Sequence, residues 1–178
     1  KSIVVNKVIL NSSGEFICVI DSDDVLSENG ISLILEDIEI KTAKNIAGFM
    51  YLKSYLSGEI VGDKFPVDNL VANYIELYHG KYNISGDKLF VIKRNVIIDN
   101  LVYTFENEKF IPEAVMYSKI SKSFKFICKN KIVYSGDYLE DGYTNNHKNL
   151  IFNNPEGHVL WCNTLISYKL PFKQSIYY

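Results

Sequence analysis

Gly14-Glu15-Phe16-Ile17-Cys18-Val19-Ile20-Asp21-Ser22-Asp23-Asp24 is the stretch on which the fold turns. Phe16 to Ile20 is an unbroken apolar run after the turn-forming Ser12-Ser13-Gly14, and it predicts a short buried strand. The strand ends on three carboxylates within four positions. Asp21, Asp23 and Asp24 repel one another and resist a low dielectric, so such a cluster persists where it is solvated, caps the next helix or holds a cation. Mg2+ and Mn2+ are hard cations that take carboxylate oxygens together with substrate phosphates. A calcium loop is excluded by spacing, because Leu26 stands at the sixth position, where an EF-hand needs Gly.

Outward from this turn, Ser27 is the expected N-cap and Glu28 lies in the first helical turn. Ile31, Ile34, Leu35 and Ile38 recur at helical spacing, which predicts an amphipathic helix over 28–43. Ile46 to Lys53 reads as a second strand. Residues 57–67, with Gly58, Gly62 and Pro66, read as loop or a short hairpin. Asn69 to Tyr78 reads as a helix stopping at His79-Gly80, and Leu89 to Ile92 as a strand. Pro112 suits the first position of a helix that buries Ala114, Val115, Tyr117 and Ile120. Phe124 to Cys128 and Ile132 to Tyr134 read as two strands joined by a hairpin turn at Lys129-Asn130-Lys131. Residues 136–146 are polar loop, and His158 to Leu170 reads as a C-terminal helix. Strands alternating with helices predict an α/β fold, a mixed sheet flanked by helices.

The bulk properties narrow the function. A length of 178 residues fits one domain over 1–178, and 47% hydrophobic with 22% charged residues is the balance of a soluble globular protein. A net charge of -2 leaves no basic excess for a phosphate backbone, which argues against nucleic acid as the main partner. The 13 Tyr and 10 Phe serve a core or a sugar-binding surface equally well. Cys18, Cys128 and Cys162 form no CxxC pair, and their odd number suggests buried free thiols in a reducing compartment. No apolar run is long enough to span a bilayer and no signal peptide opens the chain. The expected location is cytoplasmic, free or peripheral at the inner face of the membrane. The opening Lys1-Ser2-Ile3-Val4-Val5 reads as the interior of a domain.

Several ordered segments resemble the bacterial family-2 glycosyltransferases of the GT-A type. Gly14-Glu15-Phe16-Ile17 followed by Asp21-Ser22-Asp23-Asp24 matches that family's strand and metal motif, with Asn6, Ile9 and Ser12 at the expected places upstream. Gly86-Asp87-Lys88-Leu89-Phe90-Val91-Ile92-Lys93-Arg94 resembles its core strand. Phe105-Glu106-Asn107-Glu108-Lys109-Phe110-Ile111-Pro112-Glu113 resembles the segment that carries its catalytic carboxylate, with Pro112-Glu113 where many members have Glu-Asp and Lys119 at a basic position. Tyr138-Leu139-Glu140-Asp141-Gly142-Tyr143-Thr144-Asn145-Asn146 resembles a loop of bacterial members. The resemblance covers residues 6–157.

The resemblance implies a metal-dependent, inverting transfer of a sugar from a nucleotide-diphosphate sugar to a saccharide or lipid-linked acceptor, in surface polysaccharide or glycoconjugate synthesis. It implies Mn2+ or Mg2+ at Asp23, with Asp21 on the ribose or on the metal through a bound water, and Asp24 either just behind the metal's direct ligands or toward the donor sugar. It makes Glu113 the general base, with Glu106 and Glu108 as exposed lesser candidates. His147 is a further candidate metal ligand; a lone loop His is more commonly surface. Lys93 and Arg94 are read as a solvated pair or as phosphate contacts, Trp161 as core or a sugar-stacking ring. The family's nucleotide-binding half would precede Lys1. The sheet edge left open would then invite a homo-oligomer.

Two other readings fit parts of the chain. Asp21-Ser22-Asp23-Asp24-Val25 and Gly136-Asp137-Tyr138-Leu139-Glu140-Asp141 also match the two motifs of haloacid dehalogenase-like phosphatases, with Asp21 as nucleophile. A non-catalytic binding module that keeps the fold is the other.

Overall fold

Ile46-Ala47-Gly48-Phe49-Met50-Tyr51-Leu52-Lys53-Ser54 is buried at every position and forms the middle strand of the sheet. A run apolar on both faces belongs in the centre of a layered fold, covered on both sides. The computed structural model describes residues 2–138, 142, 147–168 and 170, without the side chains of residues 147 and 148. Along the described residues the elements are α1 (Ser2–Asn11), β1 (Phe16–Cys18), β2 (Val25–Leu26), α2 (Gly30–Ile38), β3 (Ile46–Ser54), β4 (Leu70–Ala72), α3 (Tyr74–Tyr78), β5 (Lys88–Lys93), α4 (Arg94–Asp99), α5 (Ala114–Ile120), β6 (Lys125–Ser135), α6 (His147–Asn153) and α7 (Pro155–Ile166).

The strands run β1-β5-β3-β6-β2 across one mixed sheet, and β4 also pairs with β6. The β3–β6 pair is parallel; the other pairs are antiparallel. The expected mixed α/β fold, a sheet flanked by helices, is the observed one. Alternation along β3 divides the core between the two faces. Phe49 and Tyr51 pack with Leu89, Val91 and Val133 beneath Ile34 of α2. Met50 and Leu52 pack with Ile92, Phe126, Ile9, Val115 and Ile120 on the other side. At Gly48 the backbone has φ 154° and a Cβ would lie 2.0 Å from the Val91 carbonyl oxygen, so β5 can pass this closely only over glycine.

Several expectations are corrected. The helix predicted over 28–43 is only Gly30–Ile38. Asn29, not Ser27, precedes it, and the Ser27 hydroxyl donates instead to the Ile132 carbonyl at 3.4 Å. Beyond Ile38 the chain offers no further apolar face, and Ile40 is exposed. Asn69 to Tyr78 is not one helix. Residues 70–72 are taken up by β6, and Asn73, in extended conformation, closes a capping box with Glu76 that fixes the start of α3.

The predicted hairpin at Lys129-Asn130-Lys131 is absent. Chain 125–135 continues as one strand, and its register on β3 jumps from Tyr51↔Lys129 to Leu52↔Ile132, the signature of a bulge. Asn130 exchanges hydrogen bonds with the backbone of Phe65 and its amide donates to Asp68, so the bulge is pinned from outside.

The C-terminal helix begins at Pro155 rather than His158 and ends at Ile166. Cys128 is buried and Cys162 partly so, but Cys18 is exposed, because β1 is an edge strand that turns only Ile17 into the core. No helix among the described residues is long and apolar enough to cross a membrane.

Candidate functional site

A cavity of about 790 Å3 opens where the chain leaves β1, and Asp21, Asp23, Asp24 and Glu113 all line it. Val19 and Ile20 lead from the last paired residue of β1 into a tight turn, closed by the Asp24 amide donating to the Asp21 carbonyl at 3.1 Å. Asp21 and Asp23 are exposed on this turn. Asp24 differs: its Oδ1 meets Lys53 Nζ at 2.7 Å, with both side chains at or below 10% exposure. The ammonium also lies 5.4 Å from the ring centre of Tyr134 and 5.3 Å from that of Tyr138.

Gly136 makes room for this pair. A Cβ there would fall 1.8 Å from Asp24 Oδ1 and 3.3 Å from its Cα. Gly136→Ala should therefore push Asp24 off Lys53 and leave a buried ammonium without its counter-charge. We expect a loss of about 2–4 kcal/mol in urea unfolding, and a loss below about 0.5 kcal/mol would show that the turn adapts freely.

Glu113, at the entry to α5, also lines the cavity. The Tyr117 hydroxyl donates to Glu113 Oε2 at 3.4 Å. Burial, reinforced by the Glu113 charge, pushes the Tyr117 phenol well above its usual range, so it remains a neutral donor. Its ring stacks on Phe90 at 3.8 Å between centroids, 10° from parallel. Tyr74, Tyr78 and Trp161 extend the aromatic lining. The segment before Glu113 is fixed by α6 and α7: Asn154 Oδ1 accepts from the Lys109 and Phe110 amides. Glu108, expected to be exposed, is instead half-buried and accepts from the Glu156 and Gly157 amides at the start of α7.

Two more charged groups face the cavity. Tyr138 donates to Asp87 Oδ2 at 2.9 Å. Lys88 Nζ is ringed by the carbonyls of Val61, Ser85, Gly86 and Asp87 at 3.0–3.3 Å, and burial lowers it to about 8. Sequence reasoning did not single out Lys53 or Asp87, nor give Lys88 a role. Lys53 had a signal: a lysine inside a strand otherwise apolar must carry a partner.

The remaining candidates separate. Lys93 donates to Thr42 and Arg94 to the Ser12 carbonyl, and neither lines the cavity, so neither is placed for phosphate there. Trp161 packs against the core, as one reading expected, and also lines the cavity. His147 opens α6, and its side chain lies outside the described residues. Of the second phosphatase motif, Asp137 Oδ1 accepts from the Leu56 amide, and Asp141 lies outside the described residues.

No three His, Cys, Asp or Glu side chains among the described residues are grouped to hold a metal ion unaided. The carboxylates of Asp21 and Asp23, two exposed residues, are nevertheless of the hard-donor type that Mg2+ or Mn2+ takes when phosphate oxygens complete the shell. The donor set fits such a cation only with oxygens from elsewhere in its shell.

No protein-family model matches the chain, and no curated protein matches it in sequence. Among solved structures it is similar to one described as the crystal structure of S. aureus TarS 1-349, with TM-score 0.45 and 18% identity over 90% of this chain and 48% of that one. The chain thus spans about half the length of that structure.

Proposed function

We propose that this chain carries the metal- and acceptor-binding part of a glycosyltransferase that uses a nucleotide-diphosphate sugar. One observation supports it above the others: the Asp21-Ser22-Asp23 turn and Glu113, about ninety residues apart, open onto one aromatic-lined cavity. Asp23, with Asp21, would hold Mn2+ or Mg2+ against the donor diphosphate. A cation bound there supplies charge neutralisation for the leaving diphosphate.

This chain's own residues would do the rest. Glu113 takes the proton of the acceptor hydroxyl as that oxygen bonds to the anomeric carbon and the bond to the diphosphate breaks. A single base on the face opposite the leaving group inverts the configuration. Tyr117 holds the carboxylate by its hydroxyl. The rings of Tyr74, Tyr78 and Trp161 offer apolar faces with polar edges, suited to a saccharide acceptor, free or lipid-linked. Surface polysaccharide or glycoconjugate synthesis is the setting this reading suits.

Calorimetry with UDP- and GDP-sugars, with and without Mn2+, tests the reading, alongside release of phosphate from p-nitrophenyl phosphate. We expect sugar-nucleotide binding that requires the cation and is lost in Asp23→Asn. Phosphate release without such binding would make the chain a phosphatase, and cation-independent binding would remove the metal from the site.

A further inference from the structure

One of the three carboxylates on the turn, Asp24, is neutralised by a lysine of the sheet. Lys53 lies on β3, the most buried strand of the fold, yet its ammonium reaches the cavity wall and meets Asp24 at 2.7 Å. The pair sits at the cavity wall with little of either side chain exposed. Tyr134 and Tyr138 present their rings to the ammonium. Gly136, without a side chain, admits the carboxylate and is tied to β3 by its amide donating to the Ser54 carbonyl at 3.0 Å. Asp21 and Asp23, on the same turn, stay exposed.

Resting on the reading of the cavity as a metal-diphosphate site, we propose that Lys53 is a positioning residue that withholds Asp24 from the cation and sets the charge of the site. A cation in the cavity then meets two carboxylates, Asp21 and Asp23, instead of three. Six-coordinate Mg2+ or Mn2+ with two protein oxygens keeps positions for diphosphate oxygens and water. A third carboxylate would hold the bare cation more tightly and repel the incoming diphosphate. Lys53 also lowers the charge penalty of three acidic residues on one turn: the third is half of a buried ion pair that ties the turn to β3.

The prediction has a sign that a plain packing role lacks. In Lys53→Met the stem is replaced by an apolar one of similar length and Asp24 is released. Affinity for Mn2+ alone, read by the free-ion EPR signal, should rise about tenfold, the effect of roughly one unit charge acting through a partly solvated site. Lys53→Arg keeps the charge and should bind Mn2+ as the wild type does. Asp24→Asn leaves the ammonium unpaired and should weaken Mn2+ binding by a similar factor. The double variant Lys53→Met with Asp24→Asn should return to near the wild-type value.

Thermal unfolding of each variant checks that it is folded at the titration temperature. A double variant as weak as Asp24→Asn alone would make Asp24 a direct ligand and overturn the proposal. Equal affinities in wild type and Lys53→Met would overturn it too, while leaving the metal site in place. No Mn2+ binding by the wild type would instead remove the metal reading of the cavity, and the role of Lys53 with it.

Discussion

Glu113→Gln should lower turnover by about 10²–10⁴-fold with donor affinity changed by less than about twofold. Gln has the shape of Glu and its amide oxygen can still accept from Tyr117, so position and packing are retained. What is lost is the ability to take a proton. The side chain makes no capping bond to α5, so the substitution removes no cap from that helix. A loss confined to kcat therefore reads as chemistry. Glu108→Gln is the control. That carboxylate serves two backbone amides at the start of α7, so its replacement should cost about 1 kcal/mol of stability and leave turnover near the wild-type level. Single-turnover kinetics with saturating donor and Mn2+ separates the two. Wild-type turnover in Glu113→Gln would remove it from the mechanism, and a matching loss in Glu108→Gln would point to the segment as a whole rather than to one base.

The parts of the fold visible in the sequence are those where local pattern and tertiary role agree. β3 and β5 are apolar runs in the sequence and covered strands in the structure. The turn at Asp21–Asp24 announced itself because three carboxylates in four positions need a reason. The misreadings arise where the two levels conflict. Lys129-Asn130-Lys131 has the composition of a turn, but both lysines find a buried carboxylate, and a bulge lets the strand continue. Leu70 to Ala72 are compatible with a helix, but β6 leaves an edge that they fill, and Asn73 then sets the helix start.

The site shows the same division. Motif residues could be named individually, but their partners could not. Nothing near Asp24 in sequence indicates that Lys53, 29 positions on, and Gly136, 112 positions on, would enclose it. Both meet it through the pairing of β3 with β6. That parallel pair also brings Tyr134 to the Lys53 ammonium. Long-range register of this kind is set by which faces the strands must bury.

Asp37→Asn should destabilise the protein by about 3–5 kcal/mol at neutral pH. Asp37 is 3% exposed on α2, and its carboxylate is the common partner of Lys129 at 2.9 Å, Lys131 at 3.0 Å and the Tyr51 hydroxyl at 3.2 Å. Lys129 is 5% exposed and also donates to Asn69 Oδ1 at 2.6 Å. Neutralising Asp37 leaves two ammonium groups crowded between α2 and β6 with no counter-charge, and at least one of them has little water to turn to.

The pH dependence follows from the same geometry. Burial alone would raise the Asp37 carboxyl, but the hydrogen bonds and charges of Lys129 and Lys131 outweigh it and hold it below its usual 3.8. Because the folded value lies below the unfolded one, the unfolded chain takes up the proton first as pH falls. The stabilisation is complete above the unfolded value and disappears as pH drops through the folded one. The gap between wild type and Asp37→Asn in urea unfolding should therefore be full at pH 7 and narrow steadily below about pH 4. Replacing the whole group by Asp37→Leu with Lys129→Met, Lys131→Met and Tyr51→Phe should recover most of the loss, since a well-packed apolar set leaves neither a desolvated charge nor an unpaired hydroxyl. A cost below about 1 kcal/mol for Asp37→Asn at pH 7 would mean that both lysines reach water in the variant, and that the packing of α2 on the sheet does not depend on this pair.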